Sequence, residues 1–138
     1  MYGKVEKYAK CTDEQSFKMM YLNENRSMNW YQFCIETEET VKGFPDVLAI
    51  NKFDLSTAMY EFKFTKTGKI KFQPTQPAFY KSHPELAINI VAYNAKTKCF
   101  HCFGAGALFL EGRYKMNEKA EVDLCKAERR LQYESYDC

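Results

Sequence analysis

The sequence contains no apolar run approaching the roughly 20 residues that a transmembrane helix needs, so no membrane span is expected. Its first residues, Met1 to Lys7, carry charges where a signal peptide requires an apolar stretch. A soluble, intracellular, cytoplasmic protein is the expectation. No internal repeat, linker or low-complexity segment interrupts the 138 residues, a length that suits one domain, 1–138, with one core. Several catalytic signatures are missing as well. There is no G-x-S-x-G and no H-E-x-x-H, and no Walker-type Gly-Lys-Ser/Thr. Gly104-Ala-Gly106 lacks the third glycine of a dinucleotide fingerprint, so no nucleotide cofactor is expected. Cys99-Phe-His101-Cys102 has no clear second ligand pair, although Cys125 and Cys138 exist, and a closed zinc site needs four converging ligands. On a strand Cys99 and His101 face one way and Cys102 the other, which favours ordinary packing.

Six scattered cysteines, most beside apolar or aromatic neighbours, suit small buried hydrophobes in a reducing compartment better than a disulfide framework. The net charge of +2 says little, but its distribution says more. Between Lys63 and Pro84 there are five lysines (Lys63, Lys66, Lys69, Lys71 and Lys81) and no acidic residue. A basic surface of that kind attracts phosphate backbones, while a solvated lysine-rich loop has the same composition. The deciding feature must be chemical.

Thr12-Asp-Glu-Gln15 reads as a capping box opening a helix to about Asn23, with Phe17, Met20 and Tyr21 at helical spacing. Trp30 to Ile35, Val47 to Ile50 and Met59 to Phe64 read as strands, the last two paired antiparallel. Lys69 to Phe72 is a short extended piece, and Pro74 and Pro77 suit the first turn of a helix over 76–82. Leu86 to Tyr93 and Lys98 to Phe103 read as strands, and Ala120 to about Tyr133 as a helix with Ala120, Leu124, Ala127 and Leu131 in a stripe. The order predicts an α/β (α+β) fold with helices packed on a sheet.

The chemistry concentrates at Gly43-Phe-Pro-Asp46 and Glu61-Phe-Lys63. Residues two apart on a strand share a face, so Glu61 and Lys63 project together while Phe62 enters the opposite layer. Pairing that sets Asp46 opposite Lys63 gathers all three; a slip of one residue turns Asp46 away. Two convergent carboxylates are hard oxygen ligands suited to Mg²⁺, with Mn²⁺ as a substitute, and the Phe62 carbonyl is a further candidate ligand. Such an ion lowers the pKa of water and stabilises charge on a scissile phosphate. Lys63 would orient that water, and Gln76, at a helix start that favours anions, would contact the phosphate. An alternating ion pair on a strand has the same residues.

At Pro45-Asp46, Glu61-Phe-Lys63 and Gln76-Pro-Ala-Phe-Tyr80 the chain resembles the PD-(D/E)XK nuclease superfamily, the last piece matching its Q-x-x-x-Y element. Gly68-Lys69 and Pro74-Thr-Gln76 look closest to VRR-NUC domains and small Holliday-junction resolvases. The resemblance covers about 14–103, leaving 104–138 as a helical extension. It implies DNA phosphodiester cleavage, a three-layer restriction-endonuclease-like core with a mixed sheet and often a homodimer. The family commonly adds a glutamate from the first helix. Glu14 shares a face with Phe17 and Tyr21, and Glu24, on the same stripe, competes with it. Lys66, Lys69, Lys71, Lys81 and Tyr80 are the expected nucleic-acid contacts. A binding module of the same fold without turnover, or an RNA-cleaving enzyme, would carry the same motifs.

Overall fold

The computed structural model describes residues 2–4, 6–24, 29–34, 43–106 and 121–124. In chain order these form β1 (Tyr2–Lys4), a 3₁₀ segment (Glu6–Lys10), α1 (Glu14–Glu24), β2 (Trp30–Cys34), β3 (Val47–Asn51), β4 (Thr57–Thr65), β5 (Lys69–Lys71), α2 (Thr75–Ser82), β6 (Ile88–Asn94), β7 (Cys99–Gly104) and β8 (Glu121–Asp123). Six strands make one sheet in the order β1-β7-β6-β4-β3-β2, and β5 and β8 make a separate two-stranded sheet. β4 and β6 are parallel; the other pairs in the large sheet are antiparallel. A parallel pair cannot be joined by a tight turn, and here β5 and α2 supply the crossover.

Alternation along the central strands explains the layers. Phe62, Val91, Tyr93 and Val47 face α1, where they pack with Phe17, Tyr21 and Leu22. Met59, Ile88, Ile90, Ala92 and Phe103 face the other way, against Phe79 and Tyr80 of α2, Ile70 and Val122 of the small sheet, and Phe72 and Leu124 just beyond its strands. β6 is buried on both faces, which is why it is the most apolar strand in the chain. Phe62 and Ile90, back to back on neighbouring strands, are each 0% exposed.

Three expectations are corrected. The α1 cap lies one residue further on. Asp13 Oδ1 accepts from the Ser16 N–H at 2.8 Å and Ser16 Oγ accepts from the Asp13 N–H at 3.2 Å, a reciprocal box built on Asp13 and Ser16 in place of Thr12 and Gln15. Aspartate caps as well as threonine, and a serine hydroxyl reaches back as glutamine would. The helix expected from Ala120 begins instead as a strand, β8, with Ile70 opposite Val122. The strand ends at Asp123 and Leu124 is already helical, so the expected helix starts later than Ala120; its residues beyond Leu124 lie outside the described ones. Finally, Cys11 and Cys34 are free thiols, but Cys102 is disulfide-bonded, a departure from the expectation of unbridged cysteines.

Candidate active site

Two local devices bring the segment before β3 onto α2. Gly43 has φ +87°, and a Cβ there would overlap the Thr75 carbonyl, so only glycine permits both the turn and the close approach. Phe44 then meets Phe79 edge-on, ring centroids 5.6 Å apart. The loop is thus held against the first turns of the helix that carries Gln76.

The β3–β4 register sets Val47 against Tyr60 and Leu48 against Met59. Continued by one rung, it sets Asp46 level with Glu61, two residues from the expected alignment with Lys63. A shift of two preserves the face, and the three side chains still share one side of the sheet. One rung further, Pro45 stands level with Phe62. Proline has no N–H to offer the Phe62 carbonyl, so the ladder cannot continue. The Phe62 N–H is taken by Asp46 Oδ2 at 3.1 Å, and the Asp46 N–H donates to Glu61 Oε2 at 3.2 Å. In a strand the N–H and C=O of one residue point to the same edge, so the Phe62 carbonyl is directed toward the Asp46 side.

Glu61 is 3% exposed. Its Oε1 accepts a hydrogen bond from Gln76 Nε2 and lies 3.7 Å from Lys63 Nζ. Lys63 Nζ also donates to Gln76 Oε1 at 3.1 Å and sits 4.7 Å from the centre of the Phe72 ring. Gln76 Oε1 further accepts from the Gln73 N–H at 2.8 Å, so one glutamine both closes the start of α2 and joins the acid to the lysine. Phe72 has no counterpart among the residues expected at the site, because its apolar character in the sequence marks only an extended piece.

Burial pushes the Glu61 carboxyl up to about 8, the neighbouring Asp46 adds to the rise, and Lys63 opposes it. Glu14, in the first turn of α1, is also raised, by desolvation first; Lys63 lowers it and Asp46 raises it. Both site charges therefore act on the Glu14 carboxyl. Glu24 stands ten residues further along α1, about 15 Å at 1.5 Å per residue, so the geometry favours Glu14 between the two.

A groove of about 490 Å³ opens beside this cluster, lined by Glu14, Lys63, Lys66, Lys69 and Lys71 with Thr12, Asp13, Thr65, Thr67 and Glu121 among others. Three of the four lysines expected to contact phosphates are thus gathered at one opening; Lys81, exposed in the last turn of α2, is not among its lining residues. Tyr80 is corrected. It is 1% exposed and packs in the core under α2, because the four-residue spacing from Gln76 turns both inward. Its hydroxyl is raised by burial and by the charges of Glu61 and Asp46, so it backs the site from within and offers no surface to nucleic acid.

Among the described residues no three His, Cys, Asp or Glu side chains are drawn together as a closed metal cage. The donor set still fits a divalent ion that keeps most of its waters. Asp46, half-buried, and Glu61, buried, are adjacent carboxyls, and the elevation of Glu61 by its neighbour registers an excess of negative charge there. Asp46, Glu61 and the Phe62 carbonyl are the groups that would hold such an ion, with Glu14 at the rim.

No protein-family model and no curated protein sequence matches the chain. Among solved structures, Hjc of Archaeoglobus fulgidus, a Holliday junction resolvase from an archaeal hyperthermophile, superimposes with a TM-score of 0.56 at 14% identity, covering 81% of this chain and 89% of that one. The fold is resolvase-like. The mixed sheet with helices on its faces, expected from the sequence, is the architecture the two proteins share. At this identity the likeness concerns the fold. No described helix is long and apolar enough to cross a membrane.

Proposed function

We propose that this protein is a divalent-metal-dependent endonuclease that hydrolyses phosphodiester bonds in DNA, with branched or four-way junctions as the favoured substrate class. The observation that carries the reading is the convergence of Asp46, Glu61, Lys63 and Gln76 on one sheet face beside a lysine-lined groove. The resolvase-like fold supports the junction preference, and the PD-(D/E)XK motifs, on the resolvase or the VRR-NUC side of that superfamily, agree with it. Mg²⁺, or Mn²⁺ in its place, supplies Lewis-acid stabilisation of charge on the phosphate and eases deprotonation of water. Asp46, Glu61 and the Phe62 carbonyl hold the ion. Lys63, tied to Gln76 and Glu61, orients the attacking water, and Gln76 presents its amide toward the phosphate at the helix start. The groove lysines Lys66, Lys69 and Lys71 hold the backbone in place. Glu14 sits where it can take part in ion binding from α1. A homodimer, which would present two such sites to a symmetric junction, accords with the reading.

Incubation with Mg²⁺ or Mn²⁺ and a panel of linear, flapped and four-way DNA, with a matched RNA set, tests the proposal. Metal-dependent cleavage lost in Glu61→Gln supports it; cleavage that persists in Glu61→Gln at the wild-type rate sinks it. A second reading, a nucleic-acid-binding module of this fold without turnover, is favoured by the lack of a closed cage among the described residues. It would show as tight binding with no product from any substrate.

A further inference from the structure

Among the described residues β2 lies at the edge of the large sheet, and two of its aromatic side chains are left in the open. Tyr31 is 50% and Phe33 48% exposed. They stand two residues apart, hence on one face, with ring centroids 6.4 Å apart and planes inclined by 39°. Their partners on β3 are Ile50 and Leu48, and Leu48 in turn pairs with Met59. That chain of pairings puts both rings on the face that carries Asp46, Glu61 and Lys63. From strand spacing alone, Phe33 Cα lies roughly 8 Å and Tyr31 Cα roughly 14 Å from Asp46 Cα. A cation accompanies them: Lys52 Nζ sits 4.6 Å from the Tyr31 ring centre. The Lys52 backbone is held by its N–H donating to the Asn29 carbonyl at 2.8 Å, which ties the β3–β4 turn to the start of β2.

We infer that Phe33 and Tyr31 form a stacking platform for unpaired bases of the nucleic-acid strand running away from the cleaved bond. The inference rests on the nuclease reading for its place beside a reacting phosphate, but its binding test does not require turnover. Aromatic faces beside a cation, on the sheet face that carries Asp46 and Glu61, are the chemistry that takes up single strands, since every base has a π-face and every linkage a charge. A closed duplex cannot use such a platform, because its base faces are buried in its own stack. The substrate class selected is therefore DNA with unpaired nucleotides next to the scissile position, as at flaps, splayed arms and opened junction centres.

A second copy of this chain is the competing occupant, since an edge strand with exposed rings invites pairing. The area exposed by the described residues argues against it. Two half-exposed rings offer about 200 Å²; Phe53 and Leu55 of the β3–β4 turn, 81% and 70% exposed, bring this to roughly 500 Å², below the ~800 Å² per partner of a stable interface.

The test is metal-free binding, with chelator present, of an oligo-dT strand and of a blunt duplex to three proteins: wild type, Tyr31→Ala/Phe33→Ala, and Tyr31→Phe/Phe33→Tyr. Thermal melting and sedimentation of each are recorded alongside. The expected result is a loss of oligo-dT affinity of roughly 10-fold or more in the alanine pair, duplex affinity within about 2-fold, and wild-type behaviour in the ring-preserving pair, which guards against misfolding of the first. Equal oligo-dT affinity in wild type and alanine variant overturns the inference. So does a change of oligomeric state in the alanine variant, which would give the rings to a second copy. Loss of binding that the ring-preserving pair shares would also overturn it. None of these outcomes depends on whether cleavage is observed, so failure of the nuclease reading is told apart by the separate cleavage panel.

Discussion

The Asp46 carboxylate accepts a hydrogen bond from the Phe62 N–H at 3.1 Å, at the rung where Pro45 prevents the β3–β4 ladder from continuing. A side-chain oxygen thus stands in for a backbone carbonyl, fixing Asp46 by the strand it must serve.

That relationship separates the two roles of Asp46. In Asp46→Asn the amide oxygen still accepts the Phe62 N–H, so the fold is retained, with a thermal midpoint within a few degrees of wild type. The charge that attracts a divalent ion is gone. Titration calorimetry should show Mg²⁺ affinity reduced by about 10-fold or more, on the order of 1.4 kcal/mol. Metal affinity and cleavage both at wild-type levels would remove Asp46 from the site.

Glu61 predicts a pH dependence. Its folded value of about 8 lies above the ordinary 4.5, so between those values the folded protein keeps a proton that the unfolded chain releases. The stability this group contributes is therefore full below about pH 4.5 and is lost as pH rises through 8, by an amount on the order of a few kcal/mol at most. Thermal melts of metal-free protein between pH 5 and pH 8.5 should fall in wild type and flatten in Glu61→Gln. Mg²⁺ at the upper end should restore part of the loss in wild type, because the ion favours the ionised carboxylate. Parallel profiles for the two proteins would show that Glu61 does not titrate in this range.

The lysines divide by position. Lys66, Lys69 and Lys71 line the groove, while Lys81 is carried at the far end of α2. Neutralising the three to glutamine should weaken DNA binding and reduce the slope of log affinity against log salt by about one unit for each phosphate left without its lysine. Lys81→Gln should change the slope less than any one of them. A slope unaltered by the triple substitution would make the groove lysines solvated surface only.

How much of this could be read from the residues varies with the range of the interaction. Strand alternation at Met59 to Phe64 is a local property, so the shared face of Glu61 and Lys63 is legible, as is the helix after Pro74. The Asp46 register is not, because it is set by Gly43 meeting Thr75 and by Pro45 halting the ladder, features that no spacing rule expresses. Tyr80 misleads for a related reason: its motif position says which helix face it occupies but not that the sheet covers that face. β8 depends wholly on a partner about fifty residues earlier, and residues 121–123 fit the start of a helix until Ile70 is placed beside Val122. Tyr31 and Phe33 are legible in the sequence only as strand residues, since only the strand order reveals that β2 is an edge among the described residues.

Lys63 is the position at which binding and chemistry should come apart. Its ammonium is held by Gln76 at 3.1 Å, by Glu61 at 3.7 Å and over the Phe72 ring, so it is fixed in place beside the acid pair. An ammonium does not ligate a cation, and removing it should leave Mg²⁺ affinity within a few-fold of wild type. Lys63→Ala should still bind DNA in the presence of metal, yet lose cleavage by about 100-fold or more, the scale of a positioned proton-transfer or orienting group. Lys63→Arg should recover little, because a planar guanidinium cannot occupy the same point between Glu61, Gln76 and the ring. Metal titration and single-turnover cleavage measured in parallel distinguish this pattern from that of Asp46→Asn, where both fall together. Single-turnover cleavage by Lys63→Ala at the wild-type rate would reduce Lys63 to part of the groove's basic lining, and the reacting centre would have to be drawn around other groups.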